Sequence, residues 1–415
     1  MASPAEPPLP TLTDDLLEEI FLRLPTPADL GRACTACASF RRIITDRSFL
    51  RRFRAIHPPP LLAFVGFDIS LHPAQPPHPS APLARALADA ADFSYSFVPP
   101  ARSDGPWYPR DVRQGRVLLE SVPDFYDDSD VVVSLRDLEL VVCDPLYRLY
   151  VMLPRIPYEL TAEHGRLVDF GILLAPTGDD EEETSFRVIC TAWYQTKLFA
   201  FVFSSINRQW HIATSQSCSS LGTTTSTELG FMCSDCTNSR FYFTVPWTDK
   251  LLVLDAARME FSIVNKIVPS GYLTRIWDHG QPCVVASAEG SPLIVFLSDQ
   301  IQDGSGDVLH VNKLNENAPS DQWQLNLIPL PRQYRYVTLG AAEGFVFLRG
   351  TTKDTNHDLE GYPENEYFSV DIRTSELKKV CGMKRHYFHC IIFVMLWDGQ
   401  SSAEPGPYLA WAGPA

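Results

Sequence analysis

The chain has 415 residues, more than one hydrophobic core usually supports, so we expect more than one folded unit. Its hydrophobic fraction of 45% is typical of globular proteins, whereas its net charge of −15 argues against nucleic acid or an anionic membrane surface as the main partner. The N-terminus has neither the basic start nor the apolar core of a signal peptide, which predicts a location in the cytoplasm and/or nucleus.

The ten cysteines are expected to be reduced thiols in such a compartment. Two C-x-x-C pairs, Cys34/Cys37 and Cys233/Cys236, have the spacing of zinc ligands. They lie far apart, however, in segments of opposite character, and small thiols on a helix are ordinary core residues. We therefore predict no metal and no cofactor.

The N-terminal segment, residues 12–57, is helical in pattern. The first predicted helix ends at Pro25, and a second begins at Pro27 and should continue to Phe40. A third begins near residues 46–48. The first helix carries one continuous apolar stripe, formed by Leu16, Leu17, Ile20, Phe21 and Leu24.

Three short helices bury too little apolar surface to be stable alone. We therefore expect a partner protein to cover the helical unit.

Beyond a triple proline at 58–60 the chain becomes β-rich and repetitive. Five segments each consist of an apolar strand, a polar turn and a second strand, and they recur at intervals of roughly 50 to 60 residues. Another strand-like run, rich in β-branched and aromatic residues, precedes each of them. The turns are predicted to begin with residues whose side chains bond the turn's own backbone: Asp144, Ser205, Asp255, Asn312 and Asp371.

Repeats with about four short strands each are typical of β-propeller blades. A degenerate first repeat that includes Leu61–Phe67 brings the expected total to roughly six blades, and the apolar run Cys390–Trp397 could pair back into that first blade and close the ring. That run is too short to span a bilayer. The predicted fold is mainly β, with a small N-terminal α domain of three helices before a roughly six-bladed β-propeller.

Five divisions of the chain follow from these patterns. They are a disordered N-terminal tail, the helical domain, a Pro/Ala-rich linker with the degenerate first blade, the propeller-like substrate-binding domain and a C-terminal tail. Their predicted bounds are residues 1–11, 12–57, 58–114, 115–397 and 398–415.

The helical segment resembles an F-box. The similarity begins at Leu12, includes the Leu24-Pro25 break, and ends with a segment that closes at Phe53. Thr13 stands where the family usually has proline, and Phe40 stands where tryptophan is common. The downstream repeats resemble the kelch-like associated domains of plant F-box proteins, especially those of cereal grasses.

The resemblance implies a substrate-recognition subunit of a Skp–cullin–F-box ubiquitin ligase. The F-box would bind a Skp-family adaptor and through it cullin, while the propeller would capture an unidentified protein substrate. Phe21, Ala33 and Cys34 are expected to hold the helices together. Contacts with the adaptor are expected at Leu12, Leu16, Leu17, Ile20, Leu24, Pro25, Leu30, Cys37, Phe40 and Ile43.

Aromatic side chains of the β-rich part are candidates for substrate contact, since aromatics are favoured at protein interfaces. They could equally form the cores of the blades, so no substrate-binding residue is assigned. The acidic run Asp179–Glu183 predicts a solvated loop, with recognition of a basic segment as the alternative. The aromatic candidates are Trp107, Tyr108, Tyr158, Trp247, Tyr272 and Trp277.

The sequence offers little support for catalysis. It contains no G-x-S-x-G, H-E-x-x-H or P-loop motif. His386 and His389 lie three apart in a strand-like region, where they would point to opposite faces and could not share a metal. We therefore predict a non-catalytic adaptor subunit. The alternatives are a Skp-binding scaffold without ligase activity and a β-propeller enzyme.

Overall fold

The computed structural model divides the chain into two compact units. A helical unit precedes Leu61, and a β-rich unit extends from Leu61 to Leu396. The residues that the structure describes are 12–24, 27–57, 61–65, 70–102, 105–113, 115–121, 134–162, 164–175, 185–221, 233–237, 239–245, 248–265, 280–287, 290–299, 306–314, 326–342, 344–353, 365–383 and 393–396.

The described residues of the first unit form four helices. The predicted count of three is wrong, because the segment expected to run as one helix to Phe40 is broken at Cys37. This residue has an extended backbone, with φ −159° and ψ 164°, and separates the second helix from the third. The four helices are α1 (Asp14–Leu22), α2 (Pro27–Ala36), α3 (Ala38–Ile44) and α4 (Arg47–Ile56).

The helical unit has its own hydrophobic core. The ring of Phe21 meets the rings of Phe40 and Phe49 edge-on, with centroids 5.0 and 6.4 Å apart. Asp46 caps α4, since its side chain accepts the backbone N–H groups of Ser48 and Phe49. The buried core residues are Leu17, Phe21, Leu22, Leu30, Ile43, Ile44, Phe49 and Phe53.

The described part of the second unit contains five four-stranded antiparallel sheets. Each consists of four consecutive strands, in chain order across the sheet. The first is β3 (Tyr108–Arg113), β4 (Arg116–Ser121), β5 (Glu139–Asp144) and β6 (Leu149–Met152), and the second is β7 (Leu167–Ala175), β8 (Arg187–Tyr194), β9 (Lys197–Ser204) and β10 (Gln209–Ser217). The third is β11 (Cys233–Thr237), β12 (Arg240–Thr244), β13 (Lys250–Asp255) and β14 (Glu260–Asn265). The fourth is β15 (Cys283–Ala286), β16 (Pro292–Asp299), β17 (Asp307–Lys313) and β18 (Asn326–Pro329), and the fifth is β19 (Tyr334–Ala342), β20 (Phe345–Thr352), β21 (Asn365–Asp371) and β22 (Glu376–Met383).

The first strands of these sheets lie beside one another: β3 contacts β7, β11 contacts β15, and β15 contacts β19. Successive four-stranded meanders whose first strands gather at the centre are the blades of a β-propeller. The predicted fold class, mainly β with a propeller, is therefore confirmed. The first four-stranded blade begins with β3 at Tyr108, within the segment 58–114 that was predicted to hold a linker and a degenerate first blade.

A three-stranded sheet lies between the first and last blades. Its middle strand β1 (Leu61–Val65) pairs with β2 (Leu71–Pro73) and with β23 (Phe393–Leu396), so the predicted pairing of the C-terminal run with the first strand is confirmed. Strand β23 contacts β3, and β2 contacts β22. Because this sheet has three described strands and five sheets have four, the total of about six blades stays a prediction.

Four blades share one type of hairpin between their third and fourth strands. Each turn contains four residues, and its last residue adopts the left-handed conformation. These residues are Arg148, Arg208, Met259 and Ser375, with φ of 54°, 56°, 55° and 58°.

The predicted turn-entry residues are confirmed in three hairpins, where each is the last residue of the strand before the four-residue turn. Asp144, Asp255 and Asp371 each accept a backbone N–H of the following turn. Two other predictions are wrong. In the second blade the role belongs to the hydroxyl of Ser204 rather than Ser205, and Asn312 is buried within β17.

The described part of this unit also contains two helices, α5 (Ala81–Ala90) and α6 (Tyr158–Thr161). No described helix is long and apolar enough to cross a membrane.

Candidate docking surface on the helical unit

Helix α1 carries two apolar faces with different surroundings. Leu17 and Phe21, spaced i and i+4, point into the core of the helical unit and are 9% and 4% exposed. The second face remains at the surface: Leu12, Leu16 and Ile20 are 54%, 53% and 47% exposed. We call these three side chains the outer stripe. They are spaced by four residues and therefore follow one side of the helix and its N-terminal extension.

Polar contacts fix α1 against the other helices. The Arg42 guanidinium donates to Asp14 at 2.7 Å, an interaction that raises the pKa of Arg42. Arg52 donates to both Glu18 and Glu19, at 2.7 and 2.6 Å. These pairs are exposed and individually weak, but together they tie α1 to α3 and α4. The outer stripe is thus held in one orientation.

The ten predicted adaptor contacts fall into distinct environments. Leu17, Leu30 and Ile43 are buried in the core, so a partner could not touch them without opening the helices. Leu24 and Phe40 are half-buried and pack against that core. Cys37 is exposed, like the outer stripe. Pro25 lies outside the described residues.

The residues expected to hold the helices together do so. Phe21 is buried, and Ala33 and Cys34 are partly buried against the same cluster. The sequence pattern alone did not separate the buried Leu17 from the exposed Leu16, because α1 displays both apolar faces within one broad stripe.

Cys37 lies between α2 and α3 as an exposed thiol. Its Sγ is 3.2 Å from the hydroxyl of Ser39, and hydrogen bonds to that hydroxyl and to the backbone of Phe40 lower the pKa of Cys37. Both it and Cys34 are free thiols. Among the residues that the structure describes, no group of three or more potential ligands could hold a metal ion.

One exposed apolar residue in the described part of the helical unit was not identified from the sequence. Ile56, the last residue of α4, is 54% exposed. Its position three residues after the buried Phe53 would predict burial, so helical spacing gave no signal of its exposure. It borders an open cleft of about 690 Å³ that is lined by Glu19, Leu22, Arg23, Arg52, Ile56 and His57.

The predicted rim aromatics of the propeller are also in different environments. Trp107 is buried, and its indole N–H donates to the backbone oxygen of Pro99 at 2.8 Å. Tyr108 is half-buried within β3. Tyr158 is 56% exposed and is the one surface aromatic of this set within the described residues. The other predicted features lie outside the described residues: the acidic run Asp179–Glu183, the His386/His389 pair, Trp247, Tyr272 and Trp277.

Comparison with known proteins yields similarities of structure only. No family model matches the chain, and no curated protein matches it. An uncharacterized protein from Listeria monocytogenes, lmo1340, is 10% identical with a TM-score of 0.33, and the match covers 66% of each chain. TolB from Acinetobacter baumannii is 8% identical with a TM-score of 0.31, over 78% of this chain and 74% of that one. A putative 6-phosphogluconolactonase from Bacteroides uniformis is 10% identical with a TM-score of 0.31, over 68% of this chain and 85% of that one. Similarities this low give no information about function.

Proposed function

We propose that this chain is a non-catalytic adaptor with two protein-binding parts. Its helical unit binds a Skp-family adaptor, and through it cullin, while its β-propeller captures a protein substrate for ubiquitin transfer. Such a subunit would act in the cytoplasm and/or nucleus. The F-box resemblance of residues 12–53 suggests the partner, and the geometry of the helical unit supports a docking role.

The observation that carries the proposal is the exposure of Leu12, Leu16 and Ile20 on a unit that already has a core. These side chains are not needed to hold the helices together, yet each is about half accessible to water. Full burial of a large apolar side chain contributes about 1.5–3 kcal/mol. Three such anchors on one face, held by the Arg42 and Arg52 contacts, would form a compact hot spot.

The distribution of burial refines the expected contacts. We propose that the outer stripe makes the central contacts and that the exposed Cys37 and the half-buried Leu24 and Phe40 lie at the edge. Leu17, Leu30 and Ile43 then support the interface from inside the core. Their substitution would weaken binding by unfolding the helices rather than by removing a contact.

For the propeller, we propose that the β2-β1-β23 sheet acts as a sixth blade. Pairing of β1 with β23 joins the two ends of the β-rich unit, a closure that stabilises propellers because backbone hydrogen bonds tie the ends of the ring together. A rigid ring of this kind is a suitable support for substrate-binding loops.

A pull-down with a plant Skp adaptor tests the proposal. Wild type should bind, and Leu16→Asp/Ile20→Asp should not, because two carboxylates would be desolvated at the interface. The matched control is Ile206→Asp/Leu327→Asp, which adds the same charges at propeller residues that are 71% and 54% exposed. This control should bind like wild type. Failure of the wild type to bind would overturn the proposal.

Ligase activity needs a separate assay. With the adaptor, cullin and the ubiquitin-transfer enzymes reconstituted, the proposal predicts ubiquitin transfer to a captured protein. Adaptor binding without transfer would instead favour the scaffold alternative.

A further inference from the structure

The exposed Tyr158 is held rigidly at the surface of the propeller. It begins α6, in the connection between the first and second blades. Ile156 before it is buried, and Leu160 after it packs against the core shared by those blades. The indole N–H of Trp210 donates to the backbone oxygen of Pro154 at 2.7 Å.

His164 completes the anchoring of this connection. Its Nε2 lies 2.8 Å from the backbone oxygen of Leu160, and its ring stacks on Phe199 with centroids 4.0 Å apart. The connection is therefore fixed at both ends. An aromatic side chain that is both exposed and preorganised loses little conformational entropy when a partner covers it.

The positively charged side chain of Arg136 lies over the ring of Tyr158. The guanidinium carbon of Arg136 lies 4.0 Å from the centroid of the Tyr158 ring, a cation–π geometry. Among the described residues, no carboxylate lies within ion-pair distance of this guanidinium, although the exposed Asp137 follows Arg136 in the chain and the exposed Glu159 follows Tyr158. Arg155, nearby in the chain, differs because it donates to the buried carboxylate of Glu139 at 3.0 Å.

These contacts limit what could cover the tyrosine. A partner that buries the Tyr158 ring also removes water from Arg136, and a desolvated guanidinium without an acceptor is costly. The partner must therefore supply an oxyanion beside its apolar contact. The net charge of −15 and the neighbouring Asp137 and Glu159 would repel a run of acids, which favours a single anionic group.

We propose that Tyr158 and Arg136 form a binding surface for a protein segment that places one oxyanion, carboxylate or phosphate, next to an aromatic side chain. The aromatic side chain would pack on Tyr158, and the oxyanion would accept two N–H groups from Arg136. This inference deepens the proposed function, on which it rests, by giving the chemical class of the segment that the propeller captures.

Selection from displayed peptide libraries on the immobilised full chain tests this surface. Each library has ten-residue peptides with random flanks and a fixed central pair: Asp-Phe, phosphoserine-Phe, Lys-Phe or Asp-Ala. Either or both of the first two should be enriched at least about tenfold over Lys-Phe and Asp-Ala, and their ratio distinguishes carboxylate from phosphate.

Variants of the full chain show whether the enriched peptides bind at Arg136 and Tyr158. Arg136→Glu should reverse the preference toward Lys-Phe, and Tyr158→Ala should abolish enrichment. Tyr158→Phe should retain it, because the ring face rather than the hydroxyl makes the contact. Arg258→Glu and Ile206→Ala, control changes at exposed residues in the third-to-fourth-strand hairpins of the third and second blades, should select like wild type.

The inference is overturned if neither anionic library exceeds Lys-Phe, or if enrichment persists in both Arg136→Glu and Tyr158→Ala. Its failure can be distinguished from that of the proposed function. Leu16→Asp/Ile20→Asp should lose the Skp adaptor yet keep peptide selection. A wild type that binds the adaptor but selects no anionic peptide would refute only this surface.

Discussion

The carboxylate of Asp307 accepts the backbone N–H of Tyr336 at 2.7 Å, and this bond joins the fourth blade to the fifth. Asp307 is 4% exposed, and Tyr336 is fully buried. A hydrogen bond of the same kind joins the first two blades, where Asp111 accepts the backbone N–H of Leu174 at 2.8 Å. Charged acceptors of buried N–H groups therefore fix the arrangement of neighbouring blades.

Removing one of these acceptors should destabilise the propeller. We predict that Asp307→Ala lowers the free energy of unfolding by about 1.5–3 kcal/mol, because the Tyr336 N–H loses a charged partner while remaining buried. Asp307→Asn, which keeps an oxygen acceptor, should cost less. Urea unfolding followed by tryptophan fluorescence checks this, since residues 12–57 contain no tryptophan.

The control for this measurement is Asp89→Ala on the exposed face of α5, which should change stability by no more than about 0.5 kcal/mol. Equal effects of Asp307→Ala and Asp89→Ala would show that the bond between blades contributes nothing.

The left-handed turn residues predict a stabilising substitution. Ser375 has φ of 58°, a conformation that costs an L-residue other than glycine about 1–2 kcal/mol. Glycine avoids this backbone cost but gives the unfolded chain more conformational entropy. The net effect of Ser375→Gly should be to raise the free energy of unfolding by about 0.5–1 kcal/mol. Thr374→Gly, one residue earlier in the same exposed turn, should lower it. Thermal melts of the two variants and of wild type test this prediction. A melting temperature of Ser375→Gly below that of wild type would contradict it.

Two glycines with left-handed backbones should respond differently to alanine. A Cβ on Gly280, at φ 81°, would lie 2.5 Å from the backbone oxygen and the hydroxyl of Thr338, whereas one on Gly115, at φ 75°, would meet nothing within 4 Å. Gly115→Ala therefore carries backbone strain alone, about 1–2 kcal/mol. Gly280→Ala should cost about 1–3 kcal/mol more, because its neighbours must move. Similar urea midpoints for the two variants would refute the difference.

Stability should decrease in mildly acidic solution. Burial lowers the pKa of His310, whose ring stacks on Phe296 with centroids 4.7 Å apart and whose Nε2 bonds the hydroxyl of Ser298. Because the folded state prefers the neutral imidazole, its contribution is complete above the unfolded pKa of about 6.5. The contribution is lost progressively as the pH falls from there toward the folded pKa.

Urea unfolding between pH 7.5 and about 5.5 tests this titration, in a range where most carboxylates stay ionised. His310→Gln keeps a polar partner for Ser298 but does not titrate, so its stability should depend less on pH. His78, whose pKa is lowered first by burial and then by the charge of Lys378, should leave a residual slope. If the free energy of unfolding of His310→Gln depends on pH as steeply as that of wild type, His310 does not contribute to the loss of stability in acid.

Local patterns predicted the β-rich repeats, the propeller and the hairpins that begin at Asp144, Asp255 and Asp371, since turn chemistry depends on neighbours in the chain. Asn312 shows the limit of such patterns. It has the right residue type for a turn, yet pairing of β17 with β16 places it inside a strand.

The candidate docking surface was predicted only in part. Leu16 and Leu17 are adjacent and equally apolar, and only the packing of α1 on α3 and α4 turns one outward and the other inward. The extended backbone at Cys37 likewise depends on how α3 packs, since no helix-breaking residue marks it. The Arg136–Tyr158 contact joins residues that no sequence spacing relates.

The neighbouring leucines Leu16 and Leu17 provide the most direct test of the central claim, that α1 presents an outer stripe to a Skp-family adaptor. Calorimetric titration with the adaptor should show at least about tenfold weaker binding for Leu16→Ala, with an unchanged melt by circular dichroism at 222 nm. Leu17→Ala should instead destabilise the helical unit by about 2–5 kcal/mol. If Leu16→Ala binds the adaptor as tightly as wild type, the outer stripe is not the docking surface.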